Sequence, residues 1–265
     1  ETESTGIVVE GDWNDIVDNM IADGEASAFE VFGSDNWITG NNISGNSDIP
    51  FRVPGNWNEF SENVVDAAGE DAFLVAGGNN LFSGNQLTNS DIGFLVSGDG
   101  NEFEDNTLGG SSEACFSLSG DYITLRGNHC SGTGDGLRLD STTGTVATGN
   151  NWTGIAIALR LYDASGNSFS NEAVTASSVA VSFENSRSNS IRFSTLDGSI
   201  QLASNSTANY LNGSALQGSI TCDATSQLFI GANITIEARN ADFDTPFDSV
   251  HLRLTADGVT LYATP

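Results

Sequence analysis

The sequence predicts an all-β solenoid, and three observations predict it. One Asn recurs every 21 or 22 residues, apolar residues flank it at fixed offsets, and each unit carries a short apolar–polar–apolar alternation bounded by Gly, Asn or Ser. Asn85, Asn106 and Asn128 show the unit most plainly, with Phe82, Phe103 and Leu125 three residues before them and Leu87, Leu108 and Cys130 two residues after. A fixed period of this size marks a chain in which each unit buries its apolar face only against its neighbours.

The frame extends through most of the 265 residues. The Asn column runs Asn19, Asn41, Asn63, Asn85, Asn106, Asn128, Asn150, then Glu172, Ser194 and Ser214. The alternating segments place Phe29/Val31, Phe51/Val53, Phe73/Val75, Phe94/Val96, Phe116/Leu118 and Leu137/Leu139 inward, which is the pattern of a half-buried strand. Three short strands per unit, with no helical stretch to cross over, require a chain that coils so that equivalent strands stack in parallel. At about 4.8 Å per rung, about ten coils make a rod on the order of 50 Å long. The recurring Asn reads as an interior ladder whose amides satisfy turn backbone groups.

Residues 1–222 read as the solenoid and 223–265 as a C-terminal β cap or oligomerisation element. In the latter, Leu228–Ile230, Ile234–Ile236, Val250–Leu254 and Val259–Tyr262 read as strands, with Asp257-Gly258 as a hairpin turn. No capping helix precedes Ile7, so a partner or a further segment is expected over that end. The start has neither an initiator Met nor a signal-like run, as expected of a mature or trimmed chain.

Thirty-five acids stand against eight bases, all Arg, and the net charge is −27. Such a charge repels nucleic acid and anionic membrane surfaces, and no apolar run approaches the ~20 residues of a membrane span. The absence of Lys favours adaptation to molar salt and resembles the surface chemistry of extremely halophilic proteins; an acidic extracellular protein is the plainer reading. Cys115, Cys130 and Cys222 are odd in number, so at least one is unpaired. Cys130 and Cys222 fall in inward columns and read as small apolar core residues, with no disulfide framework expected.

The pattern Asn-x-Φ-x-x-Asn-x-Φ…Gly-Φ-x-Φ resembles the right-handed parallel β-helix repeat of the pectate-lyase-like superfamily. It is most similar to the carbohydrate-binding and sugar-hydrolysis type repeats and to copper-accessory periplasmic proteins built on them. The resemblance spans residues 7 to about 222 and implies a fold rather than one activity, since that superfamily includes lyases, hydrolases, epimerases, adhesins and viral tail spikes. It implies that an active cleft, where one exists, lies on an outer sheet face, with Ca²⁺ and an Arg base in lyases or paired Asp in hydrolases. Neither the hydrolase-type Asn-Thr-Asp and Gly-His-Gly motifs nor a lyase-like Asp cluster beside an Arg stands in this sequence.

Four sets of residues are singled out. Asp48, Glu70, Asp91 and Glu113 each lie three residues before a strand's first inward residue and are expected to stack, holding K⁺, Na⁺ or Ca²⁺ loosely if anything. Arg52, Arg138 and Arg160 take outward strand centres, with Asp140, Tyr162 and Glu184 two positions further along successive coils. Arg138, Asp140, Arg160 and Glu184 are the catalytic candidates, and ion pairing of both Arg with neighbouring acids is the competing expectation. Trp13, Trp37 and Trp57 lie at spacings that let exposed rings stack sugars, against the alternative of Trp covering an open end. Asn42, Asn151, Asn205, Asn212 and Asn233 fit the N-glycan acceptor pattern, with Asn42 and Asn151 in an outward column.

The expected function is a non-enzymatic extracellular β-helix rod, structural, adhesive or receptor-binding, on a cell surface, filament or virion. Its partners would be glycans or surface proteins, with homo-oligomerisation through the C-terminal element. The alternative is a polysaccharide-active lyase, hydrolase or epimerase. The uniform repeat up to Val181 favours the first, because it lacks the loop insertions that build a cleft. Copper handling has little support, since one Met and the isolated His129 and His251 supply few soft ligands.

Overall fold

The computed structural model describes residues 5–45, 48–67, 70–175, 177–231, 236–237, 252–256 and 259–263. The chain winds through three parallel sheets in turn, one strand of each per coil. The first sheet runs from Ile7–Val9 to Ile220–Cys222 and the third from Met20–Ala22 to Ile236–Glu237, eleven strands each. The second starts at Asp15–Val17, and its ladder reaches Leu228–Ile230 before Leu252–Ala256 and Val259–Ala263 complete thirteen strands. The ladders thus continue past residue 222, and the last two strands form an antiparallel hairpin on the second sheet, with Phe229 opposite Arg253. Asp257 and Gly258, expected as the hairpin turn, lie outside the described residues, as do Ile234 and Val250.

Register follows side-chain identity. Phe29, Phe51, Phe73, Phe94 and Phe116 occupy successive rungs, with stacked centroids 4.3–5.3 Å apart. A second column, Phe60, Phe82 and Phe103, stacks at 4.9 and 5.0 Å and meets the first edge-on. Both ring geometries suit the aromatic quadrupole. Beyond Phe116 the bore is refilled differently: Trp152 projects from the third sheet edge-on to Phe116 at 6.2 Å, and Gly136 leaves room for its ring, since a Cβ there would come 2.7 Å from Trp152 Cε3. Large against small keeps the interior at native density.

The expected Asn ladder is present, and a second one runs beside it. In the first, the backbone N–H and Nδ2 of Asn85 both donate to Asn106 Oδ1 at 3.0 and 2.9 Å, and Asn106 repeats this with Asn128 at 3.0 Å for each bond. In the second, Asn36, Asn58, Asn80 and Asn101 link rung to rung through N–H to Oδ1 bonds of 2.8–3.0 Å. Ile123 interrupts that ladder, and Asn167, Asn189 and Asn209 resume it. Each ladder satisfies the backbone of one of the two turns flanking the second sheet.

The cysteines require a correction. Cys115 and Cys130 form a disulfide, with Cα atoms 6.2 Å apart, so Cys130 is not a plain apolar core residue. The physical reason lies in the corner where the third sheet meets the first. The residue before each strand's first inward position also faces the interior there, and it is small and buried: Ala28, Ala72, Gly93, Gly136, Ala158 and Ala180. Cys115 occupies this column, where its sulfur reaches Cys130 of the same coil. Cys222 is free and half-buried; burial, with the nearby Asp223 charge, pushes its thiol up to about 11, so it is a poor nucleophile at neutral pH.

At the N-terminal end Ile7, Ile16 and Ile21 are only partly buried against the core. Among the described residues no helix is long and apolar enough to cross a membrane.

Candidate functional site: outer faces and an aromatic edge

On the outer face of the first sheet, Arg138 and Arg160 stand on adjacent rungs, and Asp140, Tyr162 and Glu184 follow one another two positions along. The two Arg converge on a residue that the sequence reading did not single out. Asp135, 3% exposed, accepts Nε–H bonds from both, each at 2.7 Å. Arg160 Nη2 adds a 3.3 Å bond to Asp135 Oδ1, and Arg138 reaches the Glu113 backbone oxygen at 3.0 Å and its carboxylate at 3.5 Å. Gly134 holds the position three residues before Leu137 where earlier coils carry an acid, which hid the acid one residue later. Both guanidiniums are thus engaged by one buried carboxylate, as the ion-pairing expectation has it. Asp140 is exposed and accepts from Ser141 Oγ at 2.9 Å.

The four stacked acids are not equivalent. Asp91 N–H donates to Glu70 O at 3.0 Å and Glu113 N–H to Asp91 O at 2.9 Å, so these three follow one another along a turn. Asp48 is instead taken by Arg52 at 2.8 Å. Burial opposes its ionisation, but bonds from Ile49 N–H and the Arg52 guanidinium outweigh this and hold its carboxyl below the usual range. Asp71 joins the other three. Its carboxyl is pushed up by burial first and then by the charges of Asp91, Glu113 and Glu70, against a bond from Ile92 N–H. Among the described residues no group of three or more His, Cys, Asp or Glu is disposed to hold a metal ion.

A third arrangement lies on the turn leading into the second sheet. Trp13, Asp35, Trp57, Asn79, Gly100, Tyr122 and Gly144 succeed one another there, all at positive φ. The conformation suits Gly and Asn and is strained for a bulky side chain, yet Trp13 (φ 62°), Trp57 (φ 61°) and Tyr122 (φ 57°) adopt it. All three are exposed, Trp13 at 69% and Trp57 at 61%. Trp37, on the adjoining strand, lies 5.9 Å from Trp13 between ring centroids, tilted by 47°. Tyr122 lies flat against the next coil: a Cβ on Gly144 would come 2.7 Å from its Cδ1, so only Gly fits beneath the ring.

Of the glycan-acceptor candidates, Asn42, Asn205 and Asn212 are exposed, and Asn151 is half-buried with its Oδ1 bonded by Thr153 at 3.1 Å. Asn233 and His251 lie outside the described residues. His129 is half-buried in the same outward column as Asn151.

The family model described as right handed beta helix region matches residues 5–108 and 52–216. No curated protein matches the chain. Among solved structures, XylC, solved as a complex with xylose, is similar with a TM-score of 0.62 at 10% identity over 73% of this chain, which spans 44% of XylC. PfbA, a surface adhesin of Streptococcus pneumoniae, is 8% identical over 97% of this chain and 79% of its own, with a TM-score of 0.49. An alginate lyase from Paenibacillus sp. str. FPU-7 is 11% identical over 87% and 99%, with a TM-score of 0.41. At such identities the likeness is one of fold. Together with the three parallel ladders, the family match gives the assignment: this chain belongs to the right-handed β-helix family.

Proposed function

We propose that this chain is a non-catalytic rod that binds a glycan along its turn edge, adhesive or receptor-binding in role and displayed outside the cytosol. The observation that carries the reading is the pair Trp13 and Trp57. Two large apolar side chains are held in a backbone conformation that costs each about 1–3 kcal/mol, and both stay mostly exposed. Strain without burial is expected where a side chain serves a ligand rather than the core. Two coils separate them, roughly 10 Å, and with Trp37 beside Trp13 they offer faces on which successive sugar rings stack.

Other observations support the same reading. Arg138 and Arg160 are both tied to Asp135, and Arg138 also reaches Glu113, so the two cations expected on the catalytic face are engaged in ion pairs. The Cys115–Cys130 disulfide suits an oxidising compartment. The C-terminal hairpin would cover the end of the rod or pair copies of it. Polysaccharide cleavage is the second reading, and it rests on exposed Asp140 and Glu184, two rungs apart on either side of Tyr162. A glycan array probed with the wild type and with Trp13→Ala/Trp57→Ala tests the first. Ligands bound by the wild type and lost in the variant support it; identical profiles refute it.

A further inference from the structure

The outer face of the second sheet carries a separate concavity near its last coils, with a volume of about 560 Å³. Ser190, Tyr210 and Phe229 occupy successive rungs of one outward column, and Arg192 and Asn212 pair in the next. Tyr210 and Phe229 stack side by side, with centroids 5.2 Å apart and planes 21° from parallel, making a flat platform two rungs long. Arg192 Nε donates to Ser190 Oγ at 3.0 Å, which lays the guanidinium back along its strand toward the platform. Ser188 and Asn212 complete the polar wall.

Charge sets this end of the second sheet apart. Arg52, Arg126, Arg138 and Arg160 each have a carboxylate within 2.8 Å. Among the described residues no carboxylate pairs with Arg192, which lines the groove, or with Arg187, next to the groove residue Ser188, although the chain carries 35 acids. An unneutralised guanidinium beside an aromatic platform, on a protein of net charge −27, is a local positive site in a negative field.

We propose that this groove is a subsite for a sugar residue bearing a carboxylate or sulfate. The ring lies on Tyr210 and Phe229, the anionic group takes the two outer nitrogens of Arg192 in a fork, and ring hydroxyls meet Ser188, Ser190 and Asn212. The proposal extends the glycan-binding reading to a second place on the rod and does not depend on the Trp edge.

The test is a titration of the whole chain with carboxylated (hyaluronan, polygalacturonate), sulfated (carrageenan) and neutral (chitohexaose, cellohexaose) oligosaccharides. Wild type, Arg192→Ala, Arg192→Lys and Trp13→Ala/Trp57→Ala are compared at one fixed salt. At least one anionic sugar is expected to bind more tightly than every neutral one. Arg192→Ala is expected to weaken that sugar by about tenfold or more, the size of one charge-assisted hydrogen bond, while neutral binding is unchanged. Arg192→Lys should keep part of the preference, and the Trp variant should keep all of it. Whether the preferred sugar is carboxylated or sulfated then names the group. The proposal is overturned if no anionic sugar is preferred, or if the preference survives Arg192→Ala. A preference lost only in the Trp variant would place the anion site at the Trp edge and refute this groove while leaving the glycan-binding reading intact.

Discussion

Trp152 Nε1 donates a 2.7 Å hydrogen bond to Glu172 Oε2 at the rung where the first Asn ladder loses its asparagine. Asn150 Nδ2 reaches the other carboxyl oxygen at 3.2 Å, and Glu172 is 1% exposed. A single acid therefore closes the long run of amides and also satisfies the one Trp buried in the bore.

That position makes stability depend on pH. Burial pushes the Glu172 carboxyl from 4.5 up to about 7, against the bonds from Trp152 and Asn150. Between those values the folded state holds a proton that the unfolded state has released, so stability is fullest below about 4.5 and falls as pH rises towards 7. The loss is on the order of 3 kcal/mol. Denaturant titrations of wild type and Glu172→Gln across this range should show the variant's profile flattened by that amount. Parallel profiles would mean that Glu172 is ionised in the fold.

The ladder gives a paired comparison. Asn106→Leu removes an acceptor from Asn85 and the Nδ2 donors to Phe82 O and Asn128 Oδ1, all buried. Asn42→Leu alters only an exposed outward position. At about 1–3 kcal/mol per stranded group, the first should cost several kcal/mol and the second under about 0.5 kcal/mol. Urea midpoints read the difference directly, and equal midpoints would refute an interior ladder.

These residues also mark what could be read before the structure. The inward columns and the first ladder were legible because each repeats one residue type at one offset, and Phe over Phe or Asn over Asn is how a stacked chain fills and satisfies itself. The second ladder, five residues ahead of the first, was equally periodic at Asn36, Asn58, Asn80 and Asn101, but shared its strand approach with the column already in view. Asp135 and the disulfide were not legible. Both occupy the corner before the first sheet, where the usual alternation of inward and outward positions fails and one extra residue turns inside. The strain at Trp13 and Trp57 is a backbone property that side-chain spacing does not reveal.

The disulfide closes a sequence separation of 15 residues within one coil. A loop of that size stabilises by about 3 kcal/mol. Cys115→Ser/Cys130→Ser, or wild type under a reductant, should lose about 2–4 kcal/mol in chemical denaturation. An unchanged midpoint in the reductant would contradict a bond in the folded protein.

Salt should matter most along the acidic turn. The Asp71 carboxyl is pushed up by burial and, behind that, by the neighbouring charges of Asp91, Glu113 and Glu70. We propose that molar salt, by screening or by loosely held K⁺ or Na⁺, offsets this repulsion. The melting temperature should fall steeply below about 0.5 M potassium chloride, where the Debye length passes ~4 Å. Glu70→Gln/Asp91→Asn should blunt the fall, whereas a wild-type melting curve indifferent to salt would remove the case for halophilic adaptation.

The central claim, that the rod holds a glycan on its strained Trp edge and does not cut it, is tested most directly by one incubation with two readouts. The polysaccharide selected by the array is mixed with wild type and with Trp13→Ala/Trp57→Ala, then assayed for retention in an affinity gel and for chain length by size exclusion. Retention should drop by about tenfold or more in the variant, as expected when two stacking faces are lost, with chain length unchanged for both proteins. Shortened chains, with retention indifferent to the Trp residues, would contradict the account and return the outer face around Asp140 and Glu184 to the centre of the function.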